Sequence, residues 1–163
     1  MNARAPASFL FICTGNICRS PIVEAVARVE FARAGLAVDV ASAGTEDYHV
    51  GEHADARAIA LAEAHGYPLA AHRARQVEAA DFARHGALLV MDRVNLRALQ
   101  RVPTPAGGAA PQLFLAAAGL GEREVPDPYY GTHADFERVL ALAKDGVAAL
   151  IERLRARERT GAH

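Results

Sequence analysis

Phe9-Leu10-Phe11-Ile12 is an unbroken run of large apolar side chains ending in Cys13. Successive residues of a strand point to opposite faces, so a strand with no polar position is buried on both. Such a strand belongs inside a parallel sheet with helices packed on each side. It runs directly into Thr14-Gly15-Asn16-Ile17-Cys18-Arg19, then into Ser20-Pro21 and a helical pattern carrying Ile22, Val26 and Val29 on one stripe. Ser20 suits an N-cap, Pro21 suits the first helical turn, and Gly35 is a natural stop, so the first helix is expected over 20–34. Leu36 to Ser42 reads as a second strand. Strand, helix and strand within about 35 residues form a βαβ unit, with parallel strands and a right-handed crossover.

The remainder continues that alternation. Apolar periodicity predicts a helix over 54–65, a short helix over 76–80, a buried strand over 87–91, a helix over 95–101, a fourth strand over 112–115 and a long helix over 133–156. Loops fall at 43–51, at the Pro/Gly-rich 102–111 and at 124–131. The expected fold is α/β: a three-layer α/β/α sandwich with a four-stranded parallel sheet and a phosphate loop between strand 1 and helix 1. A chain of 163 residues, 52% hydrophobic and 23% charged, is long enough for one such domain, with 1–6 and 157–163 frayed. A net charge of −1 offers no basic surface for nucleic acid or an anionic membrane. No apolar run reaches the roughly 18 residues of a membrane span, and the polar 1–6 leader is not a signal peptide. Both cysteines, Cys13 and Cys18, fall in one loop, which suits chemistry in a reducing compartment, the cytoplasm, rather than a disulfide framework.

A loop between a strand and a helix N-terminus is an anion site. Its amides and the first unpaired helix N–H groups converge, with the helix dipole behind them. Cys13 stands at the entrance, where the same donors stabilise a thiolate. Arg19 carries a planar fork suited to two phosphate oxygens, and a cation near a helix start is unfavourable without an anion. Gly15 and Asn16 suit a tight turn that includes positive φ. A nucleophile under a phosphate cradle with an arginine clamp points to phosphoryl transfer onto cysteine.

Cys13-Thr14-Gly15-Asn16-Ile17-Cys18-Arg19-Ser20-Pro21 resembles the signature loop of the low-molecular-weight protein tyrosine phosphatases, and Asp127-Pro128-Tyr129-Tyr130 resembles that family's acid loop. Met91-Asp92, then Asn95-Leu96-Arg97, and the terminal helix also look like family landmarks. The resemblance implies Cys13 as nucleophile, Arg19 as phosphate clamp and Asp127 as general acid, with Thr14, Gly15, Asn16, Ile17, Cys18 and Ser20 around the phosphate. It implies that Asn16 locks the loop, that Ser20 assists the thiolate, and that Ser42 and His72 brace the loop from beneath. Tyr129 and Tyr130 would flank an aromatic substrate, as would Tyr48, which stands where many bacterial relatives carry tryptophan. Ile17 resembles the tyrosine-specific members, whereas phosphoarginine-hydrolysing relatives carry threonine there. Cys18 matches a neighbour that forms a reversible protective disulfide with the nucleophile.

By that resemblance the substrate is a phosphotyrosine-bearing protein, a tyrosine kinase is a partner, and neither cofactor nor metal is needed. Phosphoarginine hydrolysis and a phosphocysteine carrier remain alternatives on the same fold, and Asp127 argues against the carrier. A thioredoxin-dependent arsenate reductase needs cysteines beyond Cys18, and none follows. A zinc module lacks ligand spacing, and a Walker loop lacks its Gly-Lys-Ser/Thr. A non-catalytic phosphotyrosine binder would normally lack Cys13 or Asp127.

Overall fold

The computed structural model describes residues 8–160. Strand β1 (Ser8–Cys13) lies between β2 (Asp39–Gly44) and β3 (Ala87–Val90), and β4 (Gln112–Leu113) pairs with β3 at the edge. Every pairing is parallel, in the order β2-β1-β3-β4. Helices α1 (Arg19–Arg33), α2 (Ala56–Ala64), α3 (Asp81–Arg84), α4 (Arg93–Ala98), α5 (Phe114–Ala117) and α6 (His133–Thr160) complete the chain, with a 3-10 turn at Leu99–Arg101.

The unbroken apolar run of β1 explains the layering. Phe9, Phe11 and Cys13 join Leu89 and Met91 in a cluster built with α1, α2 and α6. Leu10 and Ile12 turn the other way and meet Leu88, Val90, Phe82 and Leu99. The expected α/β/α sandwich with a four-stranded parallel sheet is therefore borne out, and all strands deliver their carboxyl ends to one edge. Gly35 ends α1 in the left-handed region (φ 73°), which a β-carbon would strain. No helix among the described residues is long and apolar enough to cross a membrane.

Several boundaries differ from the sequence pattern. Strand β2 begins at Asp39, not Leu36, because the register pairs Asp39 with Ser8 at the start of β1. The helical turn expected over 76–80 lies at Asp81–Arg84. Gln76 instead bridges Gly44 in parallel, and the buried Asp81 carboxylate accepts the Glu78 amide at 2.8 Å. The fourth strand stops at Leu113, and Phe114–Ala117 turns helical, carrying Phe114 onto the Phe11 ring at 5.7 Å. Ser20 is not an N-cap: α1 starts at Arg19, so Ser20 lies in its first turn. The long helix runs to Thr160, so 157–160 is helical; the other expected frayed residues, 1–6 and 161–163, lie outside the described residues.

Candidate active site

The loop from Thr14 to Cys18 leaves the carboxyl end of β1 and turns straight into α1. Asn16 makes the turn with φ 59°, and among the described residues it is the non-glycine with positive φ. Gly15 does not share that conformation. Its missing side chain leaves room instead, since a β-carbon there would stand 3.0 Å from His49 Cδ2. Gly44 is needed for a similar reason: the loop rests on it so closely that a β-carbon would meet the Thr14 carbonyl oxygen at 2.6 Å.

Asn16 is fully buried, and both donors and the oxygen of its side-chain amide are bonded. Nδ2 donates to Ser20 Oγ and Ser42 Oγ, each at 2.9 Å, and Oδ1 accepts the Arg75 amide at 3.0 Å. Ser42 in turn donates to Glu24 Oε1 at 2.5 Å. His72 Nε2 lies 2.8 Å from the Asn16 carbonyl oxygen. A carbonyl can only accept, so Nε2 carries the hydrogen there. From the wall of the sheet, Asn95 Nδ2 donates to Thr14 Oγ1 at 3.0 Å. The loop is thus held from beneath and from the side by bonds that spare its own amides. Those of Gly15 to Cys18 make no hydrogen bond to protein among the described residues. Rigid, unpaired donors at a helix N-terminus are what an oxyanion requires.

Cys13 Sγ stands 3.0 Å from Ser20 Oγ on the floor of this cradle. That bond accounts for Ser20's place inside α1, where its hydroxyl faces the sulfur rather than a capping amide. Arg19 is buried, its side chain 3% exposed, and Asp92 Oδ2 accepts from its Nη1 at 2.6 Å. The Val125 carbonyl accepts from the same nitrogen at 3.0 Å, while Nη2 faces Asp127 Oδ2 at 3.7 Å. Burial works against the guanidinium charge, but Cys13, Asp92 and Asp127 outweigh it and push its pKa up. The cation is therefore fixed in place with one nitrogen edge toward the cradle. Cys18 is buried as well; burial first, then Asp55, pushes its thiol far up, so it rests as a neutral thiol. Both cysteines are free.

One cavity of about 360 Å³ brings Cys13, Thr14, Gly15, Ile17, Cys18, Arg19, Tyr48, Asp127, Tyr129 and Tyr130 together. The remaining sequence candidates, Asn16, Ser20, Ser42 and His72, lie behind its wall in the network just described. Tyr129 and Tyr130 meet edge to face with centroids 4.9 Å apart, and Tyr130 is 97% exposed. Tyr48, 68% exposed, stands at the mouth. Among the described residues, no cluster of His, Cys, Asp and Glu is arranged to hold a metal ion.

The structure gives roles to residues to which the sequence assigns none, two of them, Asp92 and Asn95, within the stretches that look like family landmarks. Asp92, which holds Arg19, follows β3 at the carboxyl edge, where ligands of parallel sheets gather, and that rule is the signal for it. Asn95 reaches Thr14 because it belongs to the capping box of α4 with Asp92. Glu24 is the anchor of Ser42, and His49 lines the cavity beside Gly15. Glu24 and His49 take these places through the segments the fold brings side by side, and no local pattern announces them.

Comparison with known proteins converges on one family. Residues 8–160 match the family model described as low molecular weight phosphotyrosine protein phosphatase. A low molecular weight protein-tyrosine-phosphatase of Streptomyces coelicolor is 44% identical over 151 residues, covering 89% of this chain and 92% of that one. The human low molecular weight phosphotyrosine protein phosphatase is 38% identical over 143 residues, 85% of this chain and 90% of its own. Among solved structures, a protein tyrosine phosphatase from Entamoeba histolytica with Hepes in its active site superposes with a TM-score of 0.84 at 32% identity. It covers 93% of this chain and 98% of that one. Wzb of Vibrio vulnificus, solved with benzylphosphonate, gives 0.80 at 28% identity, covering 90% and 98%.

Proposed function

This chain belongs to the low molecular weight phosphotyrosine protein phosphatase family, and on that premise we propose that it hydrolyses phosphotyrosine in proteins through a phosphocysteine on Cys13, with Asp127 as general acid. The observation that carries the reading is the arrangement around one cavity. A sulfur lies on the floor beside a hydroxyl, a buried arginine lies at the wall, and a half-exposed carboxylate stands at the rim.

In the first step the Cys13 thiolate, aided by the Ser20 hydroxyl 3.0 Å away, attacks phosphorus. The phosphorus–oxygen bond to the aryl group breaks, and Asp127 gives its proton to the departing phenolate oxygen. A positioned acid contributes roughly 10²–10⁴-fold to such a step. The loop amides and Arg19 hold the three remaining phosphoryl oxygens, whose charge is spread in the transition state. In the second step water attacks phosphorus, the Asp127 carboxylate takes its proton, and the phosphorus–sulfur bond breaks. The thiolate and inorganic phosphate are left. Every charge change is met by this chain's own groups, so the steps require no metal.

Ile17 favours phosphotyrosine over phosphoarginine: its apolar side chain lines the cavity and would leave a polar guanidinium unpaired. Tyr48, Tyr129 and Tyr130 supply aromatic area around a flat substrate ring. Benzylphosphonate, the ligand named for Wzb, has the shape of such a group. The reading also takes a tyrosine kinase as the source of substrate, the whole chain as a single catalytic domain, and the reducing cytoplasm as its compartment. Cys13→Ser protein is the test. It should lose turnover of a phosphotyrosine peptide while still binding it, and a chelator should leave the parent enzyme unaffected. Undiminished hydrolysis by Cys13→Ser, or loss of activity on chelation, would sink the mechanism.

A further inference from the structure

Arg57 lies outside the cavity lining, and neither chemical step uses it. Its guanidinium nevertheless joins the two sides of the site. Nε donates to Asp55 Oδ1 at 3.0 Å and Nη2 to Asp55 Oδ2 at 2.9 Å, a two-point pair. The same Nη2 donates to the Tyr129 carbonyl at 3.0 Å. The group lies 4.5 Å from the centroid of the buried Phe136 ring and 5.7 Å from that of Tyr129. Each end of this bridge is tied to the chemistry. On one side Asp55 caps α2, and its own amide donates to the Ile17 carbonyl of the phosphate loop at 2.8 Å. On the other, the Tyr129 amide donates to Asp127 Oδ1 at 3.1 Å.

The acid loop needs such a tie. The Asp127 side chain is 54% exposed, and its charge partner Arg19 is 3.7 Å away, too far for a hydrogen bond. Val125 is anchored by its amide to the Met91 carbonyl at 2.8 Å, but that bond lies before Asp127 in the chain. Beyond Asp127, the Arg57 fork hydrogen-bonds the Tyr129 carbonyl, and the Tyr129 ring also meets the His49 ring with centroids 6.5 Å apart. An arginine is suited to it because one rigid plane serves Asp55 and Tyr129 at once while stacking on Phe136.

We propose that Arg57 is a positioning residue for the general acid: by holding the Tyr129 carbonyl to the capped start of α2, it sets where Asp127 stands relative to the leaving oxygen. The proposal rests on the reading of Asp127 as the acid. A displaced acid loses proton transfer but leaves the nucleophile and the phosphate cradle intact. The loss should therefore fall on substrates whose leaving group needs a proton.

The test compares phenyl phosphate with 2,4-dinitrophenyl phosphate, whose phenolate leaves without protonation. Wild type, Arg57→Met, Asp127→Ala and the double variant are each measured on both by kcat/KM, which reports the steps up to departure of the phenolate and excludes the hydrolysis of phosphocysteine common to both esters. Methionine keeps an apolar stem against Phe136 while removing every donor. Arg57→Met should lose about tenfold on phenyl phosphate and stay within about twofold on the dinitrophenyl ester, a part of the roughly 10²–10⁴-fold an acid supplies. In the Asp127→Ala background it should cost nothing further. Arg57→Lys, which keeps the charge but not the fork, should show the same pattern more weakly, and it carries the comparison if the methionine variant does not fold. An equal loss on both esters, or the same loss with and without Asp127, overturns the role of Arg57 alone. Indifference of Asp127→Ala itself to the leaving group overturns the acid reading and this proposal with it.

Discussion

Replacing Asn16 tests whether the phosphate loop is held by its buried network. Asn16→Ala removes both bonds from Nδ2 and the acceptor of the Arg75 amide. Each such bond is worth about 0.5–1.5 kcal/mol net, so the three together contribute about 3 kcal/mol. The hydroxyls of Ser20 and Ser42 keep other partners, Cys13 and Glu24, which limits the cost of stranded groups. Backbone conformation adds a second part. At φ 59° an alanine carries a left-handed penalty of about 1–2 kcal/mol. Asn16→Ala should therefore destabilise by about 4–5 kcal/mol, a large share of the roughly 5–15 kcal/mol of a typical domain. Asn16→Gly loses the same bonds without the left-handed penalty, although its freer unfolded chain returns about 0.4–1 kcal/mol of that advantage. Glycine should thus be about 1 kcal/mol more stable than alanine and still well below the parent. Urea unfolding of the three proteins measures both differences at once. Two variants that each lose less than about 1 kcal/mol would refute the network as the support of the loop. Alanine at or above glycine would refute the account of the backbone.

Ile17→Thr should raise phosphoarginine hydrolysis relative to phosphotyrosine, because a hydroxyl then faces the cavity where the wall is now apolar; an unchanged ratio of kcat/KM would remove Ile17 as the filter. Stability should fall as pH drops from 7 to 5. Burial, chiefly, holds the His85 imidazole below its ordinary value, with Arg75 and Arg84 adding and Asp81 opposing. Its folded form thus takes up protons less readily than the unfolded chain, whose imidazole titrates near about 6.5, so stability is full above that pH and is lost below it. Urea midpoints across the range should show this slope, and His85→Gln should flatten it; a rise in stability on acidification would contradict the sign.

The β1 run, the loop after it and the start of α1 are legible from residue order because their signals are local. Uninterrupted apolar side chains define a doubly buried strand, and Cys13, Asn16 and Arg19 lie within one turn of chain. Asp127 is singled out only by resemblance: an Asp-Pro turn is common by itself, and its match to the family's acid loop gains meaning from the cysteine loop far back along the chain. The misplacements have the opposite character. Ser20 has the chemistry of a cap, but the sulfur of Cys13 competes for its hydroxyl. Phe114 continues an apolar strand pattern, but its partner lies in α6, where Gly146 leaves space for its ring. The 76–80 segment has helical periodicity, but Gln76 meets Gly44 and is drawn into the sheet's edge.

Sequence alone determined the class of fold and pointed to the groups proposed to react, Cys13 and Arg19 by side-chain type and short spacing and Asp127 by its resemblance to the family's acid loop. Tertiary structure decided what makes those groups competent. Asp92 and the Val125 carbonyl orient Arg19, Ser42 and Glu24 brace Asn16, and Arg57 ties the Tyr129 carbonyl to α2. Each of these is a hydrogen bond between segments that meet only once the sheet has aligned their carboxyl ends. A bond between loops carries no signature in either loop by itself. The phosphate loop can be read from its nine residues, but its rigidity belongs to the elements around it.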